Sequence, residues 1–455
     1  MSNPHRSKEE VTIVGAGLAG TLMALLLSQR GHAVTLYERL PDMRREPIPA
    51  GRSINLALAA RGIAALEQAG IMPQVLPLLI PMRGRLLHTA DEALTFVPYG
   101  QRDHEVIHSV SRPGLNRILL DAAEAAGVQI HFRHTVLDAD LERGQLLVRD
   151  EATAKMHEIA MQRVIAADGA GSALRRALIG RDTVTCTETL LEHGYKELTL
   201  PPAQDGGHQL HKNALHIWPR GGFMLIALPN LDGSFTMTLF LPQLGPESFA
   251  SLQHASDVEE FFARYFPDVA SVIPQLANDY FQHPTGVMGT VRCNQWSLEG
   301  RLLLIGDAAH AMTPFHGQGM NCAFEDCREL NDLIRELPDG SEAFAQFDRT
   351  RRTHTDAIAD MALENYQEMR DTVRDPKFQL QKALSLELER RFPDRFVPRY
   401  SMVMFHDEIP YRAAYERGAI QSSILEQLTR GVRSLDEVNY QEAERLIAEQ
   451  LSPIE

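Results

Sequence analysis

Val11-Thr12-Ile13-Val14-Gly15-Ala16-Gly17-Leu18-Ala19-Gly20 decides the fold. A short apolar run ends in three glycines at GxGxxG spacing and opens a helical pattern over residues 22–29. Gly31 and a second apolar run over 33–37 then complete a βαβ unit. Gly15 makes the tight turn, Gly17 lets a pyrophosphate approach the backbone, and Gly20 lets the helix pack on the strand. Leu18 and Ala19 lie in the first turn, whose amides carry phosphate charge. Glu38 ends the second strand, 18 residues beyond Gly20 (38 − 20). At that distance an acidic side chain meets ribose hydroxyls and repels a 2′-phosphate. Arg39 follows it. Alone the glycine motif is weak, and to this point it serves FAD and NAD(H) equally.

The rest of the chain narrows the class. At 455 residues, with 44% hydrophobic and 23% charged residues, two or three interlocked domains are expected. Lys and Arg total 45 against 60 Asp and Glu, and the formal charge of -15 repels nucleic acid and anionic membrane surfaces. A small-molecule partner fits better. The opening MSNPHRSKEE lacks the apolar core of a secretory signal, and no run reaches the roughly 18 apolar residues of a membrane span. A soluble, cytoplasmic protein with no membrane contact is expected. Of Cys186, Cys293, Cys322 and Cys327, the last two have neither zinc-type spacing nor nearby paired His ligands, and the cysteines read as reduced thiols with no metal site. A homodimer is open to such a chain, since nothing in the sequence fixes an oligomeric state.

Counterparts of the βαβ unit are scattered: a helix over 113–126 stopped by Gly127, a strand over 164–167 and another over 301–305. Between them, residues 214–219, 223–228 and 234–241 carry alternating strand signals. From about residue 343 the pattern is helical, punctuated by Pro376, Pro393, Pro398 and Pro410.

Two further motifs separate FAD from NAD. Val164-Ile165-Ala166-Ala167-Asp168-Gly169-Ala170-Gly171-Ser172 resembles the Asp-Gly motif of flavoprotein hydroxylases, which lies near both FAD and the NAD(P)H path. Gly306-Asp307-Ala308-Ala309-His310, after the 301–305 strand, resembles their Gly-Asp motif, whose Asp binds the ribityl chain. A carboxylate at a strand end can accept from ribityl hydroxyls, and such charge-assisted bonds are strong in a dry site. Pro314-Phe315-His316-Gly317-Gln318-Gly319-Met320-Asn321 then leads into a helix whose N-terminus favours negative charge on a reduced ring. The resemblance also marks Arg52, Leu58, Arg112, Val136, Gly317, Gly319, Met320 and Asn321 as cofactor contacts. No second GxGxxG follows a strand, so the reducing NADPH binds transiently.

The implied fold is α/β, a discontinuous Rossmann-like FAD-binding domain with an inserted mixed β-sheet substrate domain and a C-terminal helical region. The boundaries read as 1–75, 105–180 and 290–342 for the FAD-binding domain, 76–104 and 181–289 for the substrate domain, and 343–455 for the helices.

Across nearly the whole chain the sequence resembles the kynurenine 3-monooxygenase family. The segments are 51–58, Met82-Arg83-Gly84-Arg85, Pro98-Tyr99-Gly100, His193-Gly194-Tyr195-Lys196-Glu197-Leu198, 213–219, 235–241, 314–321, Ala362-Leu363-Glu364-Asn365-Tyr366 and Pro398-Arg399-Tyr400-Ser401-Met402. That family hydroxylates L-kynurenine beside its aniline nitrogen with FAD, NADPH and O2, through a flavin C4a-hydroperoxide. The resemblance assigns Arg85, Tyr99, Asn365 and Tyr400 to the amino-acid end. It leaves Leu215, Met224, Ile226, Leu228, Phe240, Pro314, Phe315, His316 and Met369 for the aromatic end. Asn365 and Met369, four apart, share a helical face. An aniline ring is already electron-rich, so no general base is assigned. The rivals are a flavin hydroxylase of phenolic acids, which shares every cofactor motif, and a flavoprotein without turnover. Eukaryotic members add a membrane-anchoring tail, whereas 419–455 here is amphipathic and charged, so a bacterial-type soluble form is expected whose last helices cover the substrate domain.

The purified chain is expected to be yellow and to release FAD on denaturation. A colourless protein that takes up no FAD on titration refutes the cofactor assignment.

Overall fold

The structure is a computed structural model and describes residues 9–46, 55–89, 94–180, 184–337, 339–369 and 375–454. The chain divides into two compact units. The first comprises residues 1–79, 110–190 and 288–356, and the second 80–109, 191–287 and 357–455.

The first unit is built on a six-stranded sheet in the order Ser297–Leu298, Leu302–Leu304, Val164–Ala166, Glu10–Val14, Ala33–Glu38 and Gln129–Phe132. Every neighbouring pair is parallel except the first, which is antiparallel. Parallel strands are buried on both faces and so read as unbroken apolar runs, as Val164–Ala166 and Leu302–Leu304 do. The helix Leu18–Gln29 is buried throughout residues 20–27 and packs against both Arg112–Ala125 and Gly319–Glu336. Ser111 caps the second of these helices by accepting from Gly114 N–H at 3.2 Å. The edge is tied by Asp348, which accepts from the N–H groups of Trp296 and Ser297 and from the Ser297 hydroxyl, at 3.0, 3.0 and 2.9 Å.

One expectation is corrected in this unit. Cys186 and Cys293 form a disulfide with their Cα atoms 4.1 Å apart. Only Cys322 and Cys327 are free thiols, both buried. Spacing could not reveal the pair, because 107 residues separate its members.

The second unit is built on a seven-stranded sheet, ordered Gly286–Cys293, Cys186–Leu200, Phe235–Pro242, Met224–Pro229, Leu215–Pro219, Gly84–His88 and Leu94–Pro98. The first two strands run across the boundary between units. Register gives the sheet two unlike faces. Trp218, Leu225, Met237, Leu239 and Leu198 join Val258, Phe261, Phe262 and Phe266 of the following helices in one apolar core. On the other face Arg85 pairs with Leu215, Ile217 with Ile226, Ile226 with Thr238, Met224 with Phe240, and Thr238 with Glu197. The three strands expected over 214–241 are present within a residue or two. The 15-residue strand Cys186–Leu200 was not expected. Its His193–Leu198 stretch hides its period, because Lys196 points to the helical side and Glu197 to the other. Lys196 is buried and its Nζ donates to the carbonyls of Tyr280 and His283 at 3.0 and 2.7 Å, capping the helix Leu276–Gln282.

The helices from residue 357 onward cluster in this unit. Leu384, Leu388 and Phe396 pack with Ile424, Leu446 and Ile447 of the last helices, Tyr411–Leu428 and Tyr440–Gln450. Pro376, Pro398 and Pro410 stand at helix starts. Among the described residues no helix is long and apolar enough to cross a membrane.

Thiol titration of the denatured chain without reductant is expected to count two groups, Cys322 and Cys327, and four after reduction. Four before reduction refutes the pairing.

Candidate active site

In the first unit the glycine motif takes the geometry its spacing implies. Gly15 has φ +101°, and a Cβ there would stand 2.5 Å from the Ala167 carbonyl oxygen. A Cβ at Gly20 would overlap the Gly15 carbonyl oxygen. Gly17, the N-cap of Leu18–Gln29, is different: a Cβ there meets nothing within 4 Å. Packing within the protein therefore does not require a glycine there, and the space beside it is open. Glu38 accepts from the N–H groups of Ala16 at 2.7 Å and Leu40 at 2.9 Å, and each carboxylate oxygen keeps a second lone pair. Arg39 beside it is exposed.

The two acidic motifs lie at the ends of neighbouring parallel strands. Asp168 accepts from Ala173 N–H at 2.8 Å through one oxygen, while the other is buried with no hydrogen-bond partner. Such orphans are rare in folded proteins and call for a partner that the protein itself does not supply. Asp307 opens the turn Asp307–His310 and is exposed. That turn is held by Asp326, a residue without a counterpart in the motif reading. Its carboxylate accepts from Gly306 N–H at 2.9 Å and contacts His310 Nε2 at 2.6 Å, while Arg351 donates to its other oxygen at 3.0 Å. Against full burial, His310 and Arg351 hold the Asp326 carboxyl below the usual range. His310, Cys322 and Asp326 present ligand-type atoms within 4.8 Å of one another. Arg351 also reaches Cys322 Sγ at 3.5 Å, and burial pushes that thiol up, so the group is a hydrogen-bonded ion network rather than a cation site.

Asn321 is fully buried. Its Nδ2 donates to the carbonyls of Ala57 and Gly317 at 2.8 and 2.9 Å, and its Oδ1 accepts from Ala59 N–H at 2.9 Å. Its side chain thus shapes the loop that ends in Gly317, Gly319 and Met320. Leu58 and Val136 are buried, and Arg112 is the first residue of its helix. Pro314, Phe315 and His316 form one short turn in this unit, with Phe315 and His316 buried. Arg52 lies outside the described residues.

In the second unit the structure brings Arg85, Tyr99 and Tyr400 together, while the contact it gives Asn365 is with Met369. Arg85 is buried, with its guanidinium carbon 4.9 Å from the Tyr400 ring centre and 5.8 Å from that of Tyr99. The two rings stack at 5.5 Å and 12°. Burial opposes the Arg85 charge, but Tyr400, Tyr99 and Glu368 hold it above its ordinary value, so it stays cationic. Arg85 Nε is buried without a partner. The Tyr99 hydroxyl, beside Arg85 and Tyr400, makes no hydrogen bond of good geometry. Asn365, also buried, lies 3.4 Å from Met369 Sδ through its amide nitrogen. Leu215, Met224, Ile226, Leu228 and Phe240 share the sheet face of Arg85.

Sequence reasoning passed over two charged members. Glu368 lies 3.8 Å from Arg85, and Lys382 has its Nζ 5.5 Å from the Tyr400 ring centre. Burial lowers the Lys382 pKa. Only the three-residue step from Asn365 to Glu368 hinted at a shared helical face.

A family model described as an FAD binding domain matches residues 8–362. A kynurenine 3-monooxygenase of Myxococcus xanthus is 48% identical over 447 residues, 98% of this chain and 96% of that protein. One of Stenotrophomonas maltophilia is 48% identical over 451 residues, 99% of each. The chain belongs to the kynurenine 3-monooxygenase family. It is a flavin-dependent monooxygenase. Solved structures of low identity share its fold. The tetrameric form of 2-methyl-3-hydroxypyridine-5-carboxylic acid oxygenase has TM-score 0.67 at 20% identity, covering 84% of this chain and 98% of that one. Klebsiella pneumoniae HpxO, solved with FAD and uric acid, has TM-score 0.63 at 21% identity, covering 85% and 94%.

The residues present fit FAD: an open cradle at Gly17, an orphaned oxygen on Asp168 and an exposed Asp307 at adjoining strand ends. Gly17→Val is expected to leave the circular dichroism and Tm of the FAD-stripped protein unchanged while weakening FAD binding about tenfold or more. Gly20→Ala should instead lower the Tm of both forms. Unchanged FAD affinity in Gly17→Val overturns the cradle.

Proposed function

We propose that the enzyme hydroxylates L-kynurenine to 3-hydroxy-L-kynurenine, consuming NADPH and O2, with one oxygen atom entering the ring and the other leaving as water. The observation that carries this reading is the buried Arg85 cation. It has a free Nε, the unsatisfied Tyr99 hydroxyl lies beside it, and an apolar sheet face shares its register. A carboxylate leaving water needs a cation and neutral donors, which Arg85, Tyr99, Tyr400 and Asn365 supply. Among the described residues, Glu368 is the acidic group paired with Arg85, and it suits the α-ammonium of the same substrate.

FAD, when bound, supplies a redox centre that accepts electrons from NADPH and passes them to O2. Gly15, Gly17 and Gly20 with Leu18 and Ala19 would hold its pyrophosphate, and Glu38, with Arg39 beside it, its ribose. Asp307 would hold its ribityl chain. Asp168, Arg52, Leu58, Arg112, Val136, Gly317, Gly319, Met320 and Asn321 complete the set. The substrate's aromatic ring needs orientation and dryness rather than a base, because its amine already donates electron density. Leu215, Met224, Ile226, Leu228 and Phe240 supply an apolar wall fixed by the strand ladder. Met369, in the same unit, is assigned to that end as well.

Removing one partner of a buried charge-assisted pair costs roughly 2–5 kcal/mol, so Arg85→Ala should weaken L-kynurenine binding about thirtyfold or more with FAD content unchanged. The decarboxylated analogue should be a poor substrate of the wild type. Misplaced substrate should also divert oxygen into hydrogen peroxide. Equal use of L-kynurenine and its decarboxylated analogue, or an Arg85→Ala enzyme equal to wild type, refutes the assignment.

A further inference from the structure

The segment that follows Tyr99 is fastened by two buried carboxylates outside the binding cluster. Glu105 accepts from the N–H groups of Gln101 at 2.6 Å and Arg102 at 2.9 Å, and from the Arg102 guanidinium. Its own N–H returns to the Arg102 carbonyl at 3.0 Å. A Cβ at Gly100 would overlap the Glu105 carboxylate. Residues 100–105 therefore close into a loop around one acidic side chain. Tyr99, at its head, donates its N–H to the Arg83 carbonyl at 3.1 Å.

Glu389, from the helix Pro376–Arg391, reaches that loop. It accepts from Gln101 Nε2 at 2.9 Å and from Arg102 at 3.2 Å, and Gln101 Nε2 also bonds the Leu386 carbonyl at 2.8 Å. Both carboxylate side chains are 1% exposed. Seven residues before Glu389, and so on the same helical face, stands Lys382, over the Tyr400 ring. One helix thus meets the binding cluster twice, at Tyr400 through Lys382 and at the Tyr99 loop through Glu389.

Stability alone does not explain this. Two buried carboxylates share one guanidinium, and apolar residues of similar volume would hold a loop at lower cost. Against its burial, the Arg102 and Gln101 donors hold Glu105 below the usual range, while burial pushes Glu389 up. What directed hydrogen bonds add over apolar packing is a fixed orientation. We infer that Glu389 is a positioning residue: through Gln101 and Arg102 it fixes the loop that sets the Tyr99 hydroxyl against Arg85. The inference rests on the substrate reading above.

The test uses the FAD-loaded enzyme and the variants Glu389→Ala, Glu389→Gln, Tyr99→Phe and the double variant Glu389→Ala/Tyr99→Phe. Glu389→Ala should raise KM for L-kynurenine about fivefold, with flavin content unchanged and a larger share of NADPH oxidation ending as hydrogen peroxide. Glu389→Gln keeps the acceptor and should restore both values. In the Tyr99→Phe background the effect of Glu389→Ala should shrink towards none, because the hydroxyl it orients is gone. A Glu389→Ala enzyme that loses only Tm, keeping KM and peroxide yield, overturns the inference, as does full additivity with Tyr99→Phe. If Glu389→Ala does not fold, Gln101→Ala decides: a KM raised in the same direction supports the latch, and an unchanged KM overturns it. A wild type that ignores L-kynurenine overturns the substrate reading and the inference with it. A wild type that binds it, with Glu389→Ala alike, overturns the inference alone.

Discussion

The carbonyl oxygen of Gly15 leaves no room for a β-carbon at residue 20, and the cofactor unit depends on that approach. It brings the helix Leu18–Gln29 onto the central strand closely enough for residues 20–27 to be buried, and it leaves the helix N-terminus facing outward at Gly17. Asp326 binds the Gly306 amide and His310 at once and is itself held by Arg351, so the turn that presents Asp307 is braced from below by ionic hydrogen bonds. Asp307 itself is exposed, so the turn owes its shape to this brace and not to the side chain it presents.

The second unit solves a different problem, that of burying a cation in a largely apolar sheet face. Arg85 leaves water on the same sheet face as Leu215, Met224 and Phe240, where an unpaired charge would be costly. The offsetting groups come from elsewhere in the chain. Tyr99 follows a neighbouring strand, Glu368 extends the helix Gly340–Gln367, and Tyr400 lies in Arg399–Phe405. Two aromatic faces and one carboxylate hold the guanidinium charged while leaving Nε unpaired.

What the sequence revealed follows from how local each signal is. The glycine turn, Asp168, Asp307 and the strands over 214–241 depend on neighbours a few residues away, and each was legible. Arg85, Tyr99 and Tyr400 meet in the structure, and only the family resemblance had grouped them, since no local pattern joins positions so far apart. Glu368, Lys382, Asp326 and Glu389 were missed because a charged residue on a helix reads as solvated until its packing is known. The strand Cys186–Leu200 was missed for a related reason: its two faces demand unlike chemistry, and Lys196 beside Glu197 looks like a surface pair. The disulfide was invisible because pairing across 107 residues is a property of the fold alone.

The division of labour within the second unit bears on how specificity can change. The apolar wall comes from strands locked in one ladder, where a one-residue slip would turn every side chain to the opposite face. The groups around Arg85 come from a loop, a helix end and two further helices, none of them in that ladder. A substitution at Tyr99, Glu368 or Tyr400 therefore alters the polar end without disturbing the register that shapes the ring end. Arg85 is the exception, since it belongs to the strand Gly84–His88 and pairs with Leu215. Its backbone is fixed by the same ladder that fixes the wall, so the cation and the ring surface keep a constant separation. Under the proposed function, a substrate whose charged and aromatic ends are joined by a short chain is measured against that distance, and the surrounding residues are left free to vary.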